Sequence, residues 1–180
     1  MPRKRWMLIV ALGGVLVVAA GTTQAPAAPQ PPTSRTIYMS AVEYEGGANV
    51  ASECYPLDPG CPPPAGTERL SVVNGPVDGY EMDPPDPSGR WVVETHRWEP
   101  AFLEVGAGEH ITLEILGIND NSHDSRLVSP TGEVVRTIAV KRGWLTKVEF
   151  VAKPAGLWQL ICDEHLPAMV ADILVTPGRS

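Results

Sequence analysis

Three residues near the C-terminus have the types and the spacing of soft metal ligands. Cys162, His165 and Met169 lie close together in the stretch LWQLICDEHLPAMVADILV, which covers residues 157–175. A thiolate, an imidazole and a thioether are the donors that suit copper in proteins. The apolar runs on either side of these residues predict one strand before the loop and one after it. One further histidine would complete a mononuclear copper site.

The number of cysteines supports a metal-binding role for one of them. Of the three cysteines, Cys54 and Cys61 flank the turn residues of CYPLDPGC, and we expect them to form a disulfide in an oxidising compartment. Cys162 then remains as a free thiol, which calls for an explanation in an exported protein. Taken singly, Cys162, His165 and Met169 would each more often be ordinary core or surface residues. Their proximity favours a metal thiolate over an inert core thiol.

Three other histidines are candidates for the missing ligand. His96 lies inside the strand-like segment WVVETHRW and His110 opens another apolar segment, so both are expected to be ordinary hydrogen-bonded or surface histidines. His123 differs because it lies in the polar stretch NDNSHDS, residues 119–125, which we interpret as a loop at a strand end. Loops on a rigid scaffold are where ligands are usually presented. His123 is therefore the candidate that the sequence favours.

The pattern of short apolar runs predicts an all-β fold, a Greek-key β-sandwich or barrel. Turn signals separate the runs, and no stretch after residue 30 has a sustained helical period. The first strand is expected to end at Gly46 and Gly47. The predicted strands are residues 36–44, 91–98, 101–105, 110–118, 126–129, 134–140, 144–152, 157–162 and 169–175.

The N-terminal half predicts export and a less regular architecture. Residues 1–25 have a basic start, an apolar run and a small-residue tail, which is typical of a secretory signal peptide. An uncleaved membrane anchor is the alternative, because the apolar run is only slightly shorter than a membrane span. We expect a Pro/Ala linker over residues 26–35, an extension over residues 36–90 that packs on the sandwich, and the domain core over residues 91–180. The expected location is periplasmic or extracellular.

Charge excludes some partners and favours others. The chain has 14 Lys and Arg against 21 Asp and Glu, a formal net charge of −7, and loss of the basic signal segment would make it more negative. This sign disfavours nucleic-acid binding. It favours basic protein partners, such as the positive face of a cytochrome. We expect a monomer, with membrane contact only if the N-terminal segment is uncleaved.

The sequence from about residue 98 to residue 175 resembles the cupredoxins, the blue copper proteins. The matching features are Pro100, the GAGE turn at residues 106–109, Asn119 with His123, and the C-x2-H-x3-M loop of Cys162, His165 and Met169. The resemblance implies one copper ion bound by His123, Cys162 and His165, with Met169 as a weak axial ligand. Two imidazoles and a thiolate with a long thioether contact suit both oxidation states of copper.

Two positions depart from the family pattern. Ala168 stands before Met169 where many members have glycine, and Asp124 follows His123 where relatives often place an asparagine that ties the two ligand loops together. Asp124, with Asp163 and Glu164 in the ligand loop, should favour Cu(II) and lower the reduction potential if these carboxylates lie near the copper. Asp124 is thus expected to act on the site from outside the ligand set.

The ligand set indicates an electron carrier and not an enzyme. A fully ligated mononuclear copper leaves no open position for a substrate. The chain is also similar to the cupredoxin domains of cytochrome oxidase subunit II and nitrous oxide reductase, but their binuclear centre needs two loop cysteines and this loop has only Cys162. Electrons are expected to enter through an exposed edge of His165 and the apolar residues 166–168.

Two other functions stay open at this point. The first is copper handling, either storage or delivery to an oxidase, and the second is a structural partner-binding domain with the same fold. The redox partners of a carrier would be proteins, such as basic cytochromes or a membrane oxidase. The sequence does not identify which of them is used.

Overall fold

The structure, a computed structural model, describes residues 33–67 and 79–177, and every regular secondary-structure element in these ranges is a β-strand. Within these ranges no helix is long and apolar enough to cross a membrane. The strands are β1 (Ser34–Asn49), β2 (Tyr80–Asp83), β3 (Arg90–Glu99), β4 (Phe102–Gly106), β5 (His110–Gly117), β6 (Ser122–Val128), β7 (Val134–Lys141), β8 (Leu145–Val151), β9 (Gly156–Cys162) and β10 (Val170–Thr176).

The strands form two five-stranded sheets. The first sheet has the order β2-β3-β1-β5-β8, and the second has the order β4-β10-β9-β6-β7. β1 pairs with β5 in parallel, as β10 does with β4, and the other pairs are antiparallel. The chain passes from one sheet to the other after β3, β4, β5, β7 and β8. The all-β sandwich that the sequence predicts is therefore confirmed.

Alternating apolar side chains build the core between the two sheets. In β5, residues Ile111, Leu113 and Ile115 are buried and alternate with more accessible residues, as expected for a strand with one face on the core. The second sheet contributes Leu160 and Ile173 in the same way. Burying one such side chain contributes about 1.5–3 kcal/mol. This core makes the sandwich a rigid support for the residues at its ends.

β1 is longer and more central than the sequence predicts. Its expected end at Gly46 and Gly47 is wrong, because β3 continues to pair with it as far as Asn49. The strand also lies between β3 and β5, so residues 34–49 belong to the first sheet itself. The strand continues past the two glycines because neighbouring strands supply its backbone hydrogen bonds, and the local sequence of β1 does not indicate these partners.

The segment after β1 has its own small core. Tyr55, Met82 and Trp91 pack together, and Cys54 forms the predicted disulfide with Cys61, with 5.8 Å between their Cα atoms. The predicted signal segment, most of the linker and the apolar run at residues 70–73 lie outside the described residues. For the described part, this segment packs beside β2 and β3.

A pair of carboxyl groups on the first sheet predicts a pH effect on stability. Burial, followed by a hydrogen bond to Glu43, raises the pKa of Glu94 from its ordinary value of 4.5 to about 7. The folded protein therefore holds a proton that the unfolded chain releases, and this group makes stability fall as pH rises from about 4.5 to about 7. In the metal-free protein, we expect Glu94→Gln to remove this part of the pH dependence.

Urea unfolding of both proteins between pH 5 and pH 8 measures this effect as the difference between their stabilities at each pH. The control is Glu133→Gln, which removes an exposed carboxyl group on a turn and should leave the slope unchanged. A Glu94→Gln variant whose stability runs parallel to the wild type across this range would show that Glu94 is not protonated in the folded protein.

Candidate metal centre

Two neighbouring strands bring three predicted ligands together at one end of the second sheet. β6 and β9 pair with Ser125 opposite Cys162, the last residue of β9. His123 lies two residues before Ser125 on β6, and His165 lies in the loop that follows β9. The side chains of His123, Cys162 and His165 are all buried, and their donor atoms form one group that could hold a metal ion.

The distances between the three donor atoms fit one bound ion. His123 Nδ1 lies 3.3 Å from His165 Nδ1, and Cys162 Sγ lies 3.4 Å from His165 Nδ1 and 4.0 Å from His123 Nδ1. With metal–nitrogen bonds of about 2.0–2.1 Å and metal–sulfur bonds of about 2.3 Å, a trigonal ion would separate such donors by roughly 3.6–3.8 Å. The residues present therefore fit a single ion held by two imidazoles and one thiolate.

Backbone hydrogen bonds close the loop between β9 and β10, residues 163–169, which is called the ligand loop because it carries predicted ligands. Cys162 N donates to Met169 O at 3.0 Å, and Met169 N donates to His165 O at 2.9 Å. Asp163 N donates to Asp124 O at 2.9 Å, which joins the loop to β6. Asp124 thus ties the two ligand-bearing segments through its backbone, while its side chain is exposed. Its predicted influence on the copper stays a prediction.

Met169 lies on the loop where the sequence predicts an axial ligand. The residue is completely buried and immediately precedes β10. Burial suits a thioether that acts as a weak ligand, and it equally suits a methionine that fills the core. Its role as a ligand stays a prediction.

His123 differs from its predicted setting. The sequence places it in a loop, but it lies in β6, paired opposite Val140 of β7, and it is fully buried. The polar residues around it conceal a strand in which His123 and Ser125 point inwards and Asp124 points outwards. The side chain is therefore held by a sheet and not by a loop.

A backbone oxygen orients the ring of His123. Its Nε2 lies 3.3 Å from Asn119 O, an acceptor, so this nitrogen carries the proton and Nδ1 keeps a lone pair for a metal. Asn119 is itself fixed, because its side-chain amide accepts from Glu43 N at 2.7 Å and donates to Glu43 O at 2.9 Å. The N-x-x-x-H pattern seen in the sequence therefore corresponds to a predicted ligand, His123, and to Asn119, the residue that orients its ring.

Two residues that the sequence reasoning did not place at the site lie against His165. The ring of His96 stacks on the ring of His165, with 3.7 Å between their centroids and 13° between their planes. Asp120 Oδ2 lies 3.6 Å from His165 Nε2 and 3.7 Å from His96 Nε2. His96 is therefore buried against His165 and does not lie at the surface, whereas His110 is exposed on the surface as expected.

The spacing of residues in β3 could have indicated that His96 is buried. His96 and Trp98 are two residues apart, so they share one face of the strand, and a large tryptophan on that face indicates the core. The expectation of an exposed His165 edge is also wrong. His165 is only 6% exposed, while Leu166 and Pro167 beside it are exposed.

Burial keeps the two predicted ligands Cys162 and His165 neutral in the metal-free protein. It raises the pKa of the Cys162 thiol, and backbone hydrogen bonds to that group oppose the shift. Burial, with the nearby His96 and His123, lowers the pKa of His165 to about 4. His165 is therefore ready to bind a metal at neutral pH, whereas Cys162 releases a proton when it binds.

Gly79 packs directly against the ligand loop. A Cβ atom at this position would lie 2.5 Å from Ala168 Cβ and 2.6 Å from His165 O, and the glycine has a φ of +68°. Its carbonyl oxygen accepts a hydrogen bond from Thr95 Oγ1 at 3.0 Å. Gly79, which immediately precedes β2, therefore contacts the loop that carries the predicted ligands, and no signal in the sequence pointed to this contact.

Fold and site together define a class of protein: a β-sandwich with a buried group of two histidines and one cysteine at one end. No family model matches the chain, and no curated protein matches it. Among solved structures, it is similar to auracyanin A, a "blue" copper protein from Chloroflexus aurantiacus, with 19% identity over 44% of this chain and 89% of that chain and a TM-score of 0.38.

Other solved structures with similarity to the chain come from different kinds of protein. A purple cupredoxin from Nitrosopumilus maritimus matches with 18% identity, 51% of this chain, 86% of that chain and a TM-score of 0.34. A chain of a heme-copper terminal oxidase dimer matches with 12% identity, 42% of this chain and a TM-score of 0.34, and the match spans only 51% of that oxidase chain. The structural neighbours thus include cupredoxins, the family that the sequence resembles.

Proposed function

We propose that the protein is an exported mononuclear copper protein that carries single electrons between redox partners. The observation that carries this proposal is the convergence of Cys162 Sγ, His123 Nδ1 and His165 Nδ1 within 4.0 Å of one another in a buried site. A thiolate and two imidazoles are the donors of blue-copper electron-transfer sites. When bound, copper supplies a one-electron couple.

The residues around the ligands favour electron transfer over substrate chemistry. His123, Cys162 and Met169 are completely buried, so water and substrates have little access to the donor atoms. β6 and β9 also hold two of the ligands on paired strands, which limits their movement. A site that moves little on changing oxidation state exchanges electrons with a low reorganisation cost.

Burial also weighs against rapid copper delivery, the competing function. A donor of copper must let an acceptor reach its ligands, and both Cys162 and His123 are buried. Export and a location outside the cytosol belong to this proposal and rest on the N-terminal sequence and the cysteine pair Cys54 and Cys61.

Exposed acidic residues beside the site favour a basic redox partner. Asp124, Asp163 and Glu164 are exposed next to the ligands, and Arg126 neutralises one of them through a contact of 2.7 Å with Asp163. Opposite charge steers two proteins into contact and raises their association rate. A basic cytochrome or the basic face of a membrane oxidase fits this surface.

Reconstitution with copper tests the proposal. The mature protein, loaded with one equivalent of Cu(II), is expected to become intensely coloured through thiolate-to-copper absorption and to lose the colour reversibly on one-electron reduction. Stopped-flow mixing with a reduced basic cytochrome should then show reoxidation of the cytochrome without loss of copper. A colourless Cu(II) protein would refute the proposal. Rapid transfer of Cu(I) to a copper-free acceptor would favour copper delivery instead.

A further inference from the structure

The outer edge of His165 is closed by two side chains from other elements. His96 comes from β3 in the first sheet, and Asp120 comes from the connection between β5 and β6. Their contacts with His165 are the ring stack and the 3.6 Å approach of Asp120 Oδ2 to His165 Nε2. His96 and His165 are each 6% exposed. The nitrogen of His165 that faces away from Cys162 therefore does not face open solvent.

A second metal ion does not explain this cluster. His96, Asp120 and His165 offer donor atoms at distances that an ion could span. The two rings, however, are nearly parallel at 13°, so the lone pairs of their Nε2 atoms lie in separate planes that run side by side. An ion about 2.0–2.1 Å from one nitrogen in its ring plane would lie well outside the plane of the other. The geometry instead places one carboxylate oxygen of Asp120 beside both Nε2 atoms, 3.6 Å from that of His165 and 3.7 Å from that of His96.

The same backbone framework positions both covering residues. Glu43 of β1 pairs opposite His96, and the Asn119 side chain binds the backbone of Glu43 through both its oxygen and its nitrogen. Asp120 follows Asn119 directly and has a φ of 66°, a left-handed conformation that aspartate tolerates better than most residues. Asn119 therefore holds Asp120 beside His96, with its carboxylate towards His165.

We propose that His96 and Asp120 are positioning residues that cover His165, place a carboxylate beside its Nε2 and keep water and redox partners from this edge. A carboxylate at Nε2 favours the tautomer in which Nδ1 is free to bind the metal. Its negative charge also stabilises the more positive oxidation state, so it lowers the reduction potential. The inference rests on the proposed copper site and assigns two further residues to it.

The first test uses the metal-free protein and reads the His165 Nε2–H signal by NMR with ¹⁵N-labelled histidine. In the wild type we expect a single tautomer protonated at Nε2 and slow exchange of that proton with water. Both Asp120→Asn and His96→Ala should accelerate this exchange by about tenfold or more, because each removes one contact that covers the group. Unchanged exchange in either variant would overturn the proposal.

Two further variants keep the test decisive. His96→Phe retains a stacked ring and should keep exchange slower than in His96→Ala. If His96→Ala does not fold, the other two variants decide the test. Slow exchange in His96→Phe together with faster exchange in Asp120→Asn supports the proposal that these residues cover His165. Any other combination contradicts the proposal. Asparagine also tolerates the left-handed backbone of residue 120, so Asp120→Asn changes the charge with little strain.

The second test measures the reduction potential of the copper-loaded protein. Asp120→Asn should raise the potential above that of the wild type, whereas Glu133→Gln removes the same charge at an exposed turn after the far end of β6 and should leave it close to the wild-type value. Equal shifts in the two variants would overturn the proposed role of Asp120. If the wild type bound no copper, the proposed function would fail, but the exchange experiment would still decide whether His165 is covered.

Discussion

Replacing Cys162 with serine is expected to abolish the intense absorption of the Cu(II) protein and to weaken copper binding by more than about 100-fold. The absorption requires a thiolate bound to copper, and serine supplies none. Changes to residues that merely support a ligand already cost about 10–100-fold in metal affinity, so loss of the ligand itself should cost more. Cys162 is buried, is the free cysteine of the described chain and lies 3.4 Å from His165 Nδ1.

Absorption spectra and a competition titration with a copper chelator measure these two effects. The matched control is the double variant Cys54→Ala/Cys61→Ala, which removes the two other sulfur atoms and leaves Cys162 in place. It should keep the absorption even if it is less stable. An intense band that persists in Cys162→Ser, or that is lost in the control while the protein stays folded, would show that copper binds elsewhere.

Gly79→Ala is expected to destabilise the fold by about 2–5 kcal/mol and to disturb the metal centre at the same time. Alanine at a φ of +68° costs about 1–2 kcal/mol in backbone strain. The new methyl group would also overlap Ala168 Cβ and the backbone oxygen of His165, and such overpacking typically costs about 1–3 kcal/mol more. Since the overlap includes the backbone oxygen of His165, a predicted ligand, a shift of the loop that relieves it would displace that residue.

Gly132→Ala separates strain from overlap. Gly132 also has a positive φ, +84°, but nothing lies within 4 Å of a Cβ atom placed there. We expect this control to lose only the strain contribution and to bind copper with the spectrum of the wild type. Urea unfolding of the metal-free proteins and Cu(II) spectra of the loaded proteins provide the two measurements. If the two alanine variants matched each other in both, Gly79 would have no specific contact with the site.

The ligand loop was predictable because its chemistry is local. Cys162, His165 and Met169 lie within one short loop, and their residue types alone indicate a soft metal. The flanking apolar runs predicted β9 and β10 correctly, since a strand with one face on the core shows its alternation in the sequence. Features that depend only on a few neighbouring residues can be predicted from the sequence without knowledge of the fold.

His123 was identified for a reason that proved incomplete. The sequence favoured it as a loop residue, whereas it lies on β6 because β7 and β9 supply hydrogen bonds to a polar segment. Strand formation at Asp124 and Ser125 therefore depends on partners distant in the chain. The residue was correct as a member of the cluster, and its support was not foreseen.

The sequence by itself determined the donor types, the cysteine pair, the all-β pattern and the acidic charge, since each depends on residue identity or on short-range spacing. Only the tertiary structure decided that His96, Asp120 and Gly79 surround His165. These residues come from different parts of the chain, and nothing in their local sequence states which strand will pair beside them. The register of strands across the two sheets brings these residues to one predicted ligand, and it buries His96, which was expected to be an ordinary hydrogen-bonded or surface histidine.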